Sequence, residues 1–412
     1  MMHRYYPRTE DRQRLQSGPL GPHLDPFAAL LTEQGYTVEA GRQKIRLVAG
    51  LSRWLAAHRL GLHQLDERQV AAFLAARRKR LKGCLSGPHT LALLLQQLRQ
   101  TDIIPRRRLS KPPQPSEVLE RDFGRFLEDE RGLLASSVSK YLPVARRFLS
   151  HQFPAGSLRL DRLRAHHVTG FLLRDMALRS GRSAQLAATA LRSFLGFLHQ
   201  HGRSATNLTG AIPPVAGGRA SELPRFLPAD QVEQLLQRCD RRGEQGLRNY
   251  AILLLLARLG LRAHEVAELT LEDIDWAAGE LRIRGKHARL DRLPLPCEVG
   301  QAVAAYLKKG RPACACRRVF IRTTAPRRGF ANPNAIGYIV WRALARARLH
   351  PLRKSAHILR HSLATRMLRG GASLAQIGQV LRHQQVQTTE IYAKVDERTL
   401  RALAQPWPGG GR

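Results

Sequence analysis

The sequence predicts a mainly α-helical protein whose last block is α+β, with a small β-hairpin set among helices. Three observations predict it. Apolar residues recur at three- and four-residue spacing through residues 27–104 and again through 116–204. Proline-rich, charged breaks separate these blocks from each other and from the third. In the third block, Leu281 and Ile283 alternate with polar residues, as do Leu293 and Leu295, with Gly285-Lys286 between them.

Taken in order, residues 1–26 are polar, basic and rich in Gly and Pro, and read as a loose arm. In 27–104 the helical repeat runs through Leu47, Leu51, Trp54 and Leu55, then Val70, Phe73 and Leu74. Residues 105–115, with Arg106-Arg107-Arg108 and Pro112-Pro113, read as a linker. The block at 116–204 echoes the first: Gly35, Trp54-Leu55 and Val70-x-x-Phe73-Leu74 have counterparts in Gly132, Phe148-Leu149 and Val168-x-x-Phe171-Leu172. That echo fits a duplication or two unrelated amphipathic bundles. Residues 205–224 form a second linker. Residues 225–404 make the third block, and 405–412 a polar tail.

Size and charge narrow the function. A chain of 412 residues suits about two to three domains. Its hydrophobic fraction of 43% is enough for real cores. The 68 basic residues against 32 acidic ones leave a net charge of +36, which favours a regular polyanion, duplex DNA above all. An Arg-rich proteome would give the same excess without meaning. The five cysteines, Cys84, Cys239, Cys297, Cys314 and Cys316, are scattered, so neither a disulfide framework nor a zinc site is expected. With no apolar leader and no run long enough to span a bilayer, a cytoplasmic protein is expected, free of membrane partners.

The chemistry concentrates in the third block. Arg262 follows a long apolar helix closed by Gly260, at the start of a short helix near Ala263. A guanidinium there can grip two phosphate oxygens, with Glu265 placed to fix its rotamer. Lys286 lies at or near the hairpin turn, within reach of a bound groove. In His357-Ile358-Leu359-Arg360-His361-Ser362, helical spacing puts His357 and Arg360 on one face. His361 reads as a packing residue that supports the helix. Ser373-x-x-Gln376 is a capping box. The helix it starts ends at His383, and another restarts at Thr388-Thr389 and carries Tyr392.

These residues resemble the tyrosine recombinase (phage integrase) family. The markers are Leu259-Gly260-Leu261-Arg262-x-x-Glu265, Gly285-Lys286 in a hairpin, His357-x-x-Arg360-His361-Ser362, His383, and Tyr392 after it. Arg382 departs from the pattern, since the family more often has glycine before that histidine. The match covers 223–396, with a looser match of 116–202 to the family's helical, SAM-like core-binding domain. Residues 27–104 are extra.

The resemblance implies a site-specific recombinase of mobile-element type that needs no cofactor. Tyr392 would attack the scissile phosphate and form a 3′-phosphotyrosine. Arg262, Arg360 and His383 would hold the non-bridging oxygens, Lys286 would protonate the leaving 5′-oxygen, and His357 would assist proton transfer at the tyrosine. Partners would be double-stranded DNA and a tetramer on two sites, or partner recombinases, with residues 395–404 docking on a neighbour. In the cell the protein would associate with the nucleoid. A type IB topoisomerase and an inactive DNA-binding regulator are the competing readings.

Overall fold

A computed structural model describes residues 1–80, 87–105, 114–154, 157–177, 181–214, 225–285, 290–352, 354–383, 385 and 387–393. The linker residues 106–113 and 215–224, Lys286, and everything after residue 393 lie outside the described residues. The chain divides into two compact units. One joins Met1–Arg106 to Leu223–Arg412, and the other is Arg107–Glu222.

In the first unit, α1 (Thr9–Leu15), α2 (Leu24–Glu33), α3 (Val38–Ala57), α4 (Glu67–Arg80) and α5 (Pro88–Gln100) form the N-terminal block. Thr37 starts α3 by accepting the Ala40 N–H at 3.3 Å. Phe27, Leu31, Ile45, Leu51, Leu91 and Leu94 fill the core. The expectation of a loose arm at 1–26 is corrected. Met2, Tyr5 and Leu20 are buried in that same core, the Tyr5 hydroxyl meets Thr32 Oγ1 at 3.0 Å, and the N-terminal ammonium meets Asp25 at 2.8 Å. Composition concealed these anchors because polar residues separate them. Gly41 accommodates the Tyr5 ring, which a Cβ would overlap at 2.0 Å.

The N-terminal block touches the α+β domain through the turn after α2. Arg327 N donates to Gln34 O at 2.8 Å, and Ala325 packs against the N-terminal core. Gly35, at φ 76°, permits the approach, since a Cβ there would lie 2.4 Å from Arg327 Cδ.

The second unit holds α6 (Pro115–Arg125), α7 (Ala135–Gln152), α8 (Ala165–Ala177) and α9 (Gly181–Gln200). In its core Phe123 and Phe148 each meet Phe194 edge-on, and Phe123 meets Phe197 at a tilt. Both helical blocks follow one succession: a helix, a left-handed glycine (Gly35 or Gly132), a long helix, a short 3₁₀ turn (Leu62–Gln64 or Leu160–Arg162), then two more helices.

The rest of the first unit is the α+β domain. Helix α10 (Ala229–Gln237) leads to α11 (Gly243–Arg258), whose residues 251–257 are all buried, as its leucine run requires. Next come α12 (Ala263–Glu268) and strands β1 (Ile274–Asp275), β2 (Glu280–Arg284) and β3 (Leu290–Pro294). The strands form an antiparallel sheet in the order β1-β2-β3, with Leu281 opposite Leu293. The hairpin is therefore present, and β1, too short to show periodicity, adds a strand. Helices α13 (Cys297–Lys309), α14 (Asn334–Arg346), α15 (His357–Arg369), α16 (Leu374–Leu381) and α17 (Gln387–Glu390) complete the domain. No described helix is long and apolar enough to cross a membrane.

Candidate active site

Four segments bring the expected side chains together: the start of α12, the first turns of α15, the residues after α16, and Tyr392 after α17. Gly260 makes the first possible. Its φ of +59° turns the chain out of α11, and its carbonyl accepts from Arg360 Nη1. A Cβ there would sit 2.8 Å from Leu381 and 3.0 Å from Leu363. Arg262 then occupies the N-cap of α12. Glu265 accepts both the Arg262 backbone N–H and its Nη1, each at 2.8 Å, which fixes the guanidinium.

Arg360 is buried, 4% exposed, and Nη2 donates to the Leu381 carbonyl at the end of α16. One arginine thus joins α11, α15 and α16. Ser373 caps α16 as expected, its Oγ accepting the Gln376 N–H at 3.2 Å. The helix ends at Arg382 in the left-handed conformation, φ 55° and ψ 49°. A glycine is the easy occupant of such a position, which accounts for the family preference. The Arg382 side chain turns away to Glu265, with Nη2 to Oε2 at 2.8 Å, and so becomes a second clamp on that carboxylate.

His383 follows, half-buried, its Nδ1 2.7 Å from Thr389 Oγ1 on α17. Tyr392 is 1% exposed and packs against Leu363, Ala364, Ile377 and Leu381. Its hydroxyl lies 2.8 Å from Nδ1 of His361. The His357 and His361 rings stand 6.4 Å apart.

The phage integrase family model matches residues 225–399. Over 397 residues the chain is 43% identical to a putative integrase/recombinase, y4rA, of Sinorhizobium fredii, covering 96% of each chain. It is 32% identical to the tyrosine recombinase XerD of Mycobacterium tuberculosis over 300 residues, 68% of this chain and 93% of that one. The chain belongs to the phage integrase family of tyrosine recombinases. Its fold is that of the XerH site-specific recombinase solved with palindromic difH DNA, at a TM-score of 0.55, 17% identity, and coverage of 72% of this chain and 98% of that one. Lambda integrase bound to a core site has a TM-score of 0.52, covering 85% of this chain and 92% of that one at 15% identity.

The recombinase, an enzyme of DNA cleavage and strand transfer, gathers cationic side chains at these segments. Burial and the charges of Arg262 and Arg382 push Arg360 down to about 9. Burial pushes His383 down to about 4, reinforced by Arg360 and Arg262, and lowers His357 through burial and Arg360. Burial would raise Glu265, but Arg382 and the hydrogen bonds from Arg262 bring it below the ordinary carboxylate range. Burial pushes the Tyr392 phenol up to about 12, against the pull of Arg360. The Tyr392 phenol is therefore protonated at rest.

Of the expected site residues of the recombinase, Arg262, Glu265, His357, Arg360, His361, His383 and Tyr392 converge; Lys286 lies outside the described residues. Three contacts escaped the sequence reading. His361 was expected only to support its helix, and instead it touches the tyrosine. Its place one turn beyond His357 and next to Arg360 was the available signal. Arg382 and Thr389 gave no local sign of Glu265 or His383.

Proposed function

We propose that the enzyme moves a mobile DNA element by integration, excision or transposition, cutting and rejoining each strand through Tyr392. Tyr392 attacks the scissile phosphorus, and the bond to the 5′-oxygen breaks as the 3′-phosphotyrosine forms. Arg262, Arg360 and His383 take up charge on the non-bridging oxygens, Lys286 protonates the leaving oxygen, and His357 assists proton transfer. Glu265 positions Arg262. The phosphotyrosine conserves the energy of the phosphodiester, so a 5′-hydroxyl from a second duplex completes the exchange by reverse attack. Four protomers on two sites, or partner recombinases, would carry out this exchange, with residues 395–404 docking on a neighbour. Residues 27–104 act as a second copy of the core-binding module at 116–204, which the shared succession of helices supports.

The observation that carries this reading is the convergence of Arg262, Arg360 and His383, from three segments, beside a buried tyrosine. The test is a nicked suicide duplex selected from a random-sequence library by covalent trapping. The wild-type protein should yield a denaturant-stable adduct. Tyr392→Phe should bind the duplex and yield none. An adduct surviving that change would remove Tyr392 as nucleophile. Relaxation of supercoiled DNA by a lone protomer, without exchange between duplexes, would favour the topoisomerase reading.

A further inference from the structure

The hydroxyl of Tyr392 lies against an imidazole to which the family pattern gives no role. His361 Nδ1 is 2.8 Å from Tyr392 Oη, within hydrogen-bond reach for proton transfer. Among the described residues, His361 is the hydrogen-bond partner found for that hydroxyl. His383, the other imidazole nearby, has its Nδ1 committed to Thr389. His357 lies one helical turn before His361, its ring 6.4 Å from the ring of His361. With the phenol as donor, His361 accepts at Nδ1 and carries its own proton on Nε2, the tautomer that proton transfer requires.

We propose that His361 is the direct proton acceptor for Tyr392 during strand cleavage, with His357 assisting from one turn away. The inference rests on the phosphotyrosine chemistry set out above. As the Tyr392 Oη–phosphorus bond forms and the phosphorus–5′-oxygen bond breaks, the phenolic proton moves to His361 Nδ1. The 5′-oxygen takes its proton from the acid on the opposite side of the phosphorus. The imidazolium returns its proton to water after the leaving strand departs, or to Tyr392 when the reaction reverses. The charged groups facing His361 are His357 and Arg360 on α15 and His383 after α16. Burial, His357 and Arg360 hold the resting imidazole neutral, as an acceptor must be. A phosphate seated on Arg360 and His383 offsets that opposition as negative charge grows on its oxygens.

The test uses the full chain and the trapped duplex described above, remade with either oxygen or sulfur at the 5′-bridging position. Sulfur leaves without an acid, so it isolates the nucleophile's side of the reaction. His361→Asn keeps a hydrogen-bonding group of similar size that cannot take a proton, and His361→Gln is its partner variant. Both should bind DNA within about threefold of wild type and form adduct about 100-fold more slowly or worse, a typical general-base loss. The loss should be equal for oxygen and sulfur. The logarithm of the residual rate should rise in proportion to pH, since hydroxide must then ionise the phenol.

Adduct formation near the wild-type rate would overturn the proposal. So would a loss that sulfur repairs, or a pH profile parallel to that of wild type. If neither variant folds, the ring ¹⁵N shifts of His361 in uncleaved wild-type complex decide: a proton on Nδ1 refutes the assignment. Absence of adduct with wild-type protein would instead remove the parent reading.

Discussion

Arg382 sits where a glycine would be easier, and replacing it separates two opposing effects. Left-handed backbone costs a side-chain-bearing residue about 1–2 kcal/mol. The buried charge-assisted bond from Arg382 to Glu265 contributes about 1.5–3 kcal/mol, and Glu265 keeps two bonds from Arg262 when it is lost. The buried Arg382 Nε also has no hydrogen-bond partner among the described residues, and removing it recovers part of that loss. Arg382→Ala forfeits the bond and keeps the backbone strain. Arg382→Gly forfeits the bond and sheds the strain, less about 0.4–1 kcal/mol for the freer unfolded chain. The alanine variant should therefore be the less stable, by about 1 kcal/mol. Amide exchange at Leu381 and His383 reads the difference locally, which suits a chain of two compact units better than one global melt. Equal protection in both variants, or greater protection in the alanine variant, would refute the claim that backbone conformation underlies the glycine preference here.

Gly260→Ala should destabilise by about 1–3 kcal/mol, because it combines a strained φ with overlap against Leu381 and Leu363. Its adduct yield should fall with stability, as the carbonyl held by Arg360 shifts; chemical denaturation and the suicide duplex measure the two. Gly378→Ala places a Cβ 3.1 Å from Thr389 Oγ1 and should lower cleavage more than it lowers DNA affinity, by loosening His383. The DNA-free enzyme should lose stability as pH falls from about 6.5 towards 4: unfolded histidines protonate at the upper end, while half-buried His361 and His383 resist until about 4. Melting temperature against pH should flatten across that window when both are changed to Asn. With a net charge of +36, DNA affinity should fall steeply with salt, as seen in gel shifts between 50 and 200 mM.

The parts of the site that sequence revealed are those written over three or four residues. Arg262 with Glu265, and His357 with Arg360, share a helix start or a helix face, so their spacing carries their geometry. The Ser373 cap and the β2–β3 hairpin are equally local. What stayed hidden spans long stretches of chain. Arg382 and Glu265 are 117 residues apart, and His361 and Tyr392 are 31 apart. No periodicity encodes such pairs. The N-terminal segment failed as a sequence reading for a related reason: Met2, Tyr5 and Leu20 are too sparse to form a pattern, and only the pocket they fill explains them.

The bond between His383 and Thr389 ties two functions to a single movement. The Thr389 carbonyl also accepts the Tyr392 N–H at 3.0 Å, so the segment that carries Tyr392 braces the imidazole expected to grip the phosphate. Movement of that segment would therefore free the His383 imidazole and the Tyr392 hydroxyl together.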